Sequence, residues 1–256
     1  MAFELIPLPA FRDNYIWLLA GSKTAVAVDP GDATPVLEAL AKRQLLLAAV
    51  LVTHHHADHA GGAAILAARF DCPVFGPAGE AIEAVNQPLR EGQQADIPAL
   101  ETRFKVLEIP GHTAGHIAYC GHNIVFCGDT LFSAGCGRLF EGTAAQMSRS
   151  LAKLSALPDS TAICCGHEYT VANLRFALAV EPGNRDILDY AEDAAELRSR
   201  NLPTLPSTLG RERRVNPFLR CGIPDVVNAA ERHAGHELRN PIEVFAVIRS
   251  WKDTFT

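Results

Sequence analysis

The chain has 256 residues, 48% hydrophobic and 20% charged, enough to bury a substantial core in one large domain or two unequal ones. A formal charge of -6 and the lack of a long basic block argue against nucleic acid as partner, leaving a small molecule as the expected one. The longest apolar run that reads as a buried strand, Leu45 to Val52, has eight residues, short of the roughly 20 that cross a bilayer.

Seven cysteines without a CxxC pair exclude a zinc ribbon or thioredoxin-like motif and are expected to be reduced thiols. The opening MAFELIPLPAFRDN has neither a basic n-region nor an apolar h-region, so a cytoplasmic protein is expected. Arg211-Glu212-Arg213-Arg214, the one dense basic stretch, reads as a solvated turn.

Strands are predicted at Phe3 to Ile6, Tyr15 to Leu19 and Ala25 to Val28, separated by Pro, Asn, Gly and Ser turn signals. Thr34-Pro35 starts a helix that continues to Arg43, the hydroxyl capping and the proline in the first turn. The apolar run Leu45 to Val52 then reads as a strand and Ala60 to Phe70 as a helix packed back against it. Between them lies Thr53-His54-His55-His56-Ala57-Asp58-His59, four histidines and a carboxylate within six residues.

Further strands are predicted at Val74-Phe75, Phe104 to Ile109, Ile117 to Cys120, Ile124 to Cys127 and Thr161 to Cys165. Thr143 and Gln146 form a capping box for a helix running to about Ala156. Beyond residue 170 the pattern is helical: Thr170 to Val180, Arg185 to Arg200, Pro224 to about His233, and Pro241 to about Phe255 behind the Asn240 cap. The expected architecture is therefore α/β over residues 1–170, followed by a smaller all-helical domain over 171–256.

The histidine cluster, His112, Asp129 and His167 each lie just past the end of a predicted strand. Strand ends on one edge of a sheet converge, so four loops can supply one site. Side chains alternate along extended backbone, which sends His54 and His56 to one side and His55 away. Asp58 and His59, where the chain turns into the helix, reach a second point.

Seven ligands, His54, His56, Asp58, His59, His112, Asp129 and His167, exceed what one tetrahedral zinc takes. Two divalent ions fit the count, with His54, His56 and His112 on the first, Asp58, His59 and His167 on the second, and Asp129 bridging. Imidazole with carboxylate suits zinc, iron or manganese without choosing among them. Such a pair lowers the pKa of a bridging water, giving a hydroxide nucleophile near neutral pH, and its net positive charge favours an anionic substrate. His55 and His116 read as supporting residues, while His122, His233 and His236 have no assigned task; Cys165 is expected to be buried.

Thr-His-x-His-x-Asp-His, with Pro-Gly-His-Thr, Gly-Asp-Thr and Gly-His-Glu-Tyr, resembles the metallo-β-lactamase superfamily, which implies an αββα sandwich. Cys136 to Gly142, Gly166 to Thr170, Leu205 to Thr208, Asn216 to Phe218 and Arg249 to Asp253 resemble the glyoxalase II family more narrowly. That resemblance implies hydrolysis of S-D-lactoylglutathione and related S-2-hydroxyacylglutathiones to glutathione and a hydroxy acid, the second step of methylglyoxal detoxification. It implies a two-metal site, with zinc the first expectation, and a catalytic pair Asp58 and Asp129 around the metal-bridging hydroxide.

The resemblance further implies that Arg249 and Lys252 hold the glycine carboxylate of glutathione, and that Arg138, Phe140 and Tyr169 contact the rest. The i, i+3 spacing of the two cations agrees with a shared helix face. The eukaryotic pattern has Lys and Tyr where this chain has Arg138 and Phe140, so the hydroxyl contact at 140 is absent. A free thiol has a pKa of about 8.5, so the departing thiolate demands no strong general acid. A monomer is expected. The rival readings are a mononuclear iron dioxygenase acting on glutathione persulfide and a metal-storage protein.

Overall fold

The computed structural model describes residues 4–255. In chain order its elements are β1 (Glu4–Ala10), β2 (Asn14–Ala20), β3 (Thr24–Val28), α1 (Ala33–Arg43), β4 (Leu46–Leu51), α2 (Ala57–Ala60), α3 (Ala63–Phe70), β5 (Val74–Pro77), β6 (Gln87–Leu89), β7 (Gln94–Ile97), β8 (Thr102–Glu108), β9 (Ile117–Gly121), β10 (Ile124–Gly128), β11 (Leu131–Phe132), β12 (Gly135–Cys136), α4 (Ala144–Ser155), β13 (Ala162–Cys165), α5 (Thr170–Val180), α6 (Arg185–Ser199), β14 (Ser207–Thr208), α7 (Leu209–Val215), α8 (Pro224–Ala234) and α9 (Pro241–Thr254). Two compact units contain them. The first expected strand begins at Phe3, outside the described residues; its described part continues to Ala10.

The first unit comprises residues 4–108, Thr113–Gly128 and Cys164–Glu168. One of its sheets has the order β1-β2-β3-β4-β5-β6, antiparallel from β1 to β3 and parallel from β3 to β6. Pro7 and Pro9 fit β1 because an edge strand can spare the ladder donors that proline lacks. Alternate residues Ile16 and Leu18 of β2, Ala25 and Ala27 of β3, and Val50 of β4 pack with Val36 and Leu40 of α1 and Ala63 and Leu66 of α3. The opposite face meets the second sheet of this unit, β13-β10-β9-β8-β7. Across the gap the Trp17 indole donates to the Cys165 carbonyl at 2.9 Å, and the Tyr119 hydroxyl to the Val52 carbonyl at 2.9 Å.

Local chemistry explains where the expectations need adjusting. Asp32, not Thr34, caps α1, its carboxylate accepting from Thr34 N at 2.8 Å. The expected helix from Ala60 is two pieces, α2 and α3, parted at Gly61-Gly62. A Cβ at Gly62 would lie 2.5 Å from Ala33 N and 2.6 Å from Pro30 O, so the chain passes there at a distance only glycine permits. His122 and Asn123, both at positive φ (53° and 58°), make the tight turn between β9 and β10.

The second unit comprises Ile109–His112, Asp129–Ile163 and residues 169–255. Its β11–β12 hairpin is followed by α4, capped by Thr143 with the full capping box. Leu174 and Ala177 of α5, Ile187, Tyr190 and Ala194 of α6, Val215 of α7 and Ala134 share one core cluster. The short β14 pairs antiparallel with Ala162-Ile163, so this region is not wholly helical.

The solvated turn expected at Arg211 to Arg214 is instead most of α7. Leu209, Glu212 and Val215 are buried because positions three apart share a helix face, while Arg213 and Arg214 pair with Asp159 and Asp186. Asn240 caps α9 as expected, its Oδ1 accepting from Ile242 N at 3.0 Å and Glu243 N at 3.1 Å. All seven cysteines are thiols, and six are buried.

Candidate metal centre

Parallel strands β3 and β4 end side by side, so Asp29, one residue past β3, meets the loop that follows β4. Its Oδ1 accepts from Thr53 N at 2.7 Å; its Oδ2 accepts from Thr53 Oγ1 at 2.7 Å and from His59 Nδ1 at 3.1 Å. The Thr53 hydroxyl thus spends its proton on Asp29 and accepts from His54 Nδ1 at 3.0 Å. Both histidines therefore carry the proton on Nδ1, which leaves the Nε2 lone pairs available. Asp29 was not anticipated as a site residue, although its place after a parallel neighbour of β4 is a usable signal.

His54 Nε2 stands 3.2 Å from His56 Nδ1, so the pair separated by one residue does face one point. His55 turns aside, its Nδ1 3.0 Å from Glu80 Oε2. His116 stacks on His54, with centroids 4.5 Å apart and planes at 17°. His233 stacks on Trp251 at 4.4 Å.

The second group is Asp58, His59 and His167, whose ligand atoms lie within 4.8 Å of one another. His59 Nε2 and His167 Nε2 are 3.3 Å apart, and Asp58 Oδ2 is 3.7 Å from the first and 3.5 Å from the second. His167 Nδ1 donates to Asp13 Oδ1 at 2.9 Å as His59 Nδ1 does to Asp29. With both Nδ1 protons committed, two imidazole lone pairs and a carboxylate face one spot. Such a set repels itself unless one ring becomes an imidazolium or a cation sits among them, and it is the ligand set a divalent ion takes. The residues present fit a metal ion.

In the second unit His112 Nε2 lies 3.4 Å from Asp129 Oδ2, and His112 Nδ1 donates to the Arg138 carbonyl at 2.9 Å. Phe140 N and Glu141 N both donate to the His112 carbonyl at 3.3 Å. Gly137 is required here, since a Cβ would collide with the Asp129 carbonyl. His54, His59, His112, Asp129 and His167 are all buried, and His56 and Asp58 partly so.

The residues expected to meet substrate are also in the second unit. Phe140 is 63% exposed, its ring centroid 5.2 Å from that of His112. Tyr169 packs against Phe132 at 5.2 Å. Arg138 is exposed, with Nε 3.7 Å from Asp253 Oδ1.

Arg249 and Lys252 differ from each other. Arg249 is 5% exposed and donates to the Cys136 carbonyl at 2.8 Å and to Asp253 Oδ1 at 3.0 Å. Lys252 is half-buried, with Nζ 3.3 Å from the Ala172 carbonyl, and burial, helped by the Arg249 and Arg138 cations, lowers its pKa. Burial pushes the Cys136 thiol up to about 11, so it is no nucleophile near neutrality.

Residues 10–167 match the metallo-beta-lactamase superfamily, and the two sheets with their helices are its fold. A solved structure described as TTHA1623 in a di-iron-bound form is similar, with a TM-score of 0.60 and 27% identity, covering 84% of this chain and 100% of that one. Residues 168–255 match the hydroxyacylglutathione hydrolase C-terminus. Relatives named hydroxyacylglutathione hydrolase are 50% identical in Nitrosomonas europaea, covering 98% of this chain and 96% of the relative, and 52% identical in Aeromonas hydrophila, covering 99% and 100%. The chain belongs to the hydroxyacylglutathione hydrolase family, a thioester hydrolase family.

Proposed function

We propose that this protein hydrolyses S-2-hydroxyacylglutathione thioesters, S-D-lactoylglutathione first among them, to glutathione and the hydroxy acid. The observation that carries the reading is a histidine and aspartate cluster fit for metal joined in one chain to a segment matching the hydroxyacylglutathione hydrolase C-terminus. The high identity to relatives of that name favours it over the persulfide dioxygenase alternative.

In this reading His112 joins His54 and His56 around one divalent ion, Asp58, His59 and His167 hold a second, and Asp129 bridges them. Zinc is the ion proposed, with iron or manganese as alternatives; the di-iron form of the similar solved structure supports a two-ion site. When bound, the ions supply Lewis acidity, lowering the pKa of a water and polarising the thioester carbonyl.

The chain's own residues orient these groups. Asp29, through Thr53 and directly, holds His54 and His59 in the Nδ1–H tautomer, and Asp13 does so for His167. The Arg138 carbonyl does the same for His112. Residues 1–170 form the catalytic part and 171–256 the substrate-binding part. Arg138, Phe140, Tyr169 and Lys252 meet glutathione, and Arg249 holds the Cys136 carbonyl in the segment that carries Arg138 and Phe140. No described helix is long and apolar enough to cross a membrane, and a cytoplasmic monomer is proposed.

The test is glutathione release from S-D-lactoylglutathione, measured beside oxygen uptake with glutathione persulfide. Thiol release without oxygen uptake supports the reading; oxygen uptake without thiol release contradicts it.

A further inference from the structure

The turn between β1 and β2 is tied to the segment that carries His167 along its whole length. Tyr15 N donates to the Gly166 carbonyl at 2.8 Å, Glu168 N donates to the Asp13 carbonyl at 2.8 Å, and Asn14 and His167 form an antiparallel bridge. Three consecutive side chains of this turn reach three consecutive supports. Asp13 Oδ1 accepts from His167 Nδ1 at 2.9 Å, Asn14 Nδ2 donates to Asp58 Oδ2 at 3.0 Å, and the Tyr15 hydroxyl donates to Glu168 Oε2 at 3.0 Å. Asn14 is 7% exposed, so its amide is committed to Asp58 and not to solvent.

The backing of the two ligand groups differs in kind. Behind His59 and His167 stand carboxylates, Asp29 and Asp13, in direct contact with Nδ1. Behind His54 stands the neutral Thr53 hydroxyl, and behind His112 the neutral Arg138 carbonyl. A carboxylate behind an imidazole raises its basicity and fixes its direction, and removing such a partner typically costs 10–100-fold in metal affinity.

We propose that Asp13, Asn14 and Tyr15 are positioning residues for one ion only, the one held by Asp58, His59 and His167, and that they make it the more tightly held of the pair. The proposal rests on the two-ion reading above. It gives the hairpin turn, some 150 residues from His167 in sequence, a task that no ligand motif reveals. The Asp13 carboxylate and the Asn14 amide hold two of the three ligands from outside, while the first group has no equivalent charged support among the hydrogen bonds described here.

The experiment uses the full-length protein loaded with zinc, with release to an excess of chelator followed by a metal-sensitive dye. The wild type is expected to release one equivalent quickly and a second at least about tenfold more slowly. Asp13→Asn should speed the slow phase about 10–100-fold and leave the fast phase within about twofold, in keeping with the loss of one carboxylate partner. Asp13→Glu, which restores the charge, should recover part of the slow phase. His56→Ala should abolish the fast equivalent and keep the slow one at the wild-type rate, which ties the slow phase to the Asp58 group.

An Asp13→Asn variant with both phases unchanged, or with both accelerated alike, overturns the proposal. So does a His56→Ala variant that loses the slow phase. A wild type that holds one equivalent in total overturns the two-ion reading itself, a result separate from any change of phase in the variants.

Discussion

Asp29→Asn is the substitution with the widest expected reach, because one buried carboxylate sets the protonation pattern of two ligands. The wild-type side chain accepts three hydrogen bonds, from Thr53 N, Thr53 Oγ1 and His59 Nδ1. Asparagine is the same shape but offers one acceptor oxygen and a donor amide. If the oxygen stays on Thr53 N, the amide faces two groups that are themselves donating. The Thr53 hydroxyl then turns to accept from the amide and donates to His54 Nδ1, which moves the His54 proton to Nε2 and removes that lone pair from the site.

Two hydrogen bonds to a charged acceptor are lost, each worth about 1.5–3 kcal/mol, so the metal-free protein should lose about 3–6 kcal/mol before the relief of burying one charge fewer is counted. Two ligands lose their orientation, and at about 10–100-fold each the affinity should fall by roughly 10²–10⁴ across both ions. Urea unfolding of the metal-free variant and metal content after dialysis read the two effects separately. A variant that keeps two ions with wild-type affinity would refute the tautomer argument, even if its stability fell.

His55→Ala should leave metal content unchanged, since that ring lies against Glu80; loss of a full equivalent on elemental analysis would show it to be a ligand. Arg249→Ala should raise KM more than it lowers kcat, because it frees the Cys136 segment that carries Arg138 and Phe140, and steady-state kinetics showing a large fall in kcat at unchanged KM would contradict this. Glu212 is buried against Ser133, Ala134 N, Ser207 and Asn216, and burial raises its pKa. A raised folded-state value contributes stability that is full below the ordinary glutamate pKa and lost as pH rises through the folded one. The stability difference in favour of wild type over Glu212→Gln should therefore be greatest at low pH and shrink toward neutrality; chemical unfolding across that range with the opposite trend would refute it.

The ligands were legible because their chemistry is local: His54, His56, Asp58 and His59 sit in one stretch, and alternation along extended backbone separates His55 from its neighbours. His112, Asp129 and His167 could be found from their places just past strand ends. Their supports were not legible. Asp13 lies 154 positions from His167, and in sequence it is one polar residue in a turn. Asp29 was within reach, since it ends a strand beside β4, but only once the parallel pairing is known.

Charge patterns misled for a related reason. Arg211 to Arg214 reads as solvated, yet helical spacing with Leu209 and Val215 turns Glu212 inward, where four donors meet it. The spacing of Arg249 and Lys252 places them on neighbouring positions of α9 but does not reveal which one the core takes. Arg249 is buried beside Phe245 and Ile248, and Lys252 is left half-exposed. The β11–β12 hairpin and β14, two residues to a strand, are too short to leave a periodic signal.

The most direct test of a two-ion thioester hydrolase is to titrate metal-free protein with zinc while following glutathione release from S-D-lactoylglutathione. Activity that reaches its plateau at two equivalents, and stays at background in Asp129→Ala at any zinc level, is the predicted result. Full activity at one equivalent, or a fully active Asp129→Ala, would contradict it.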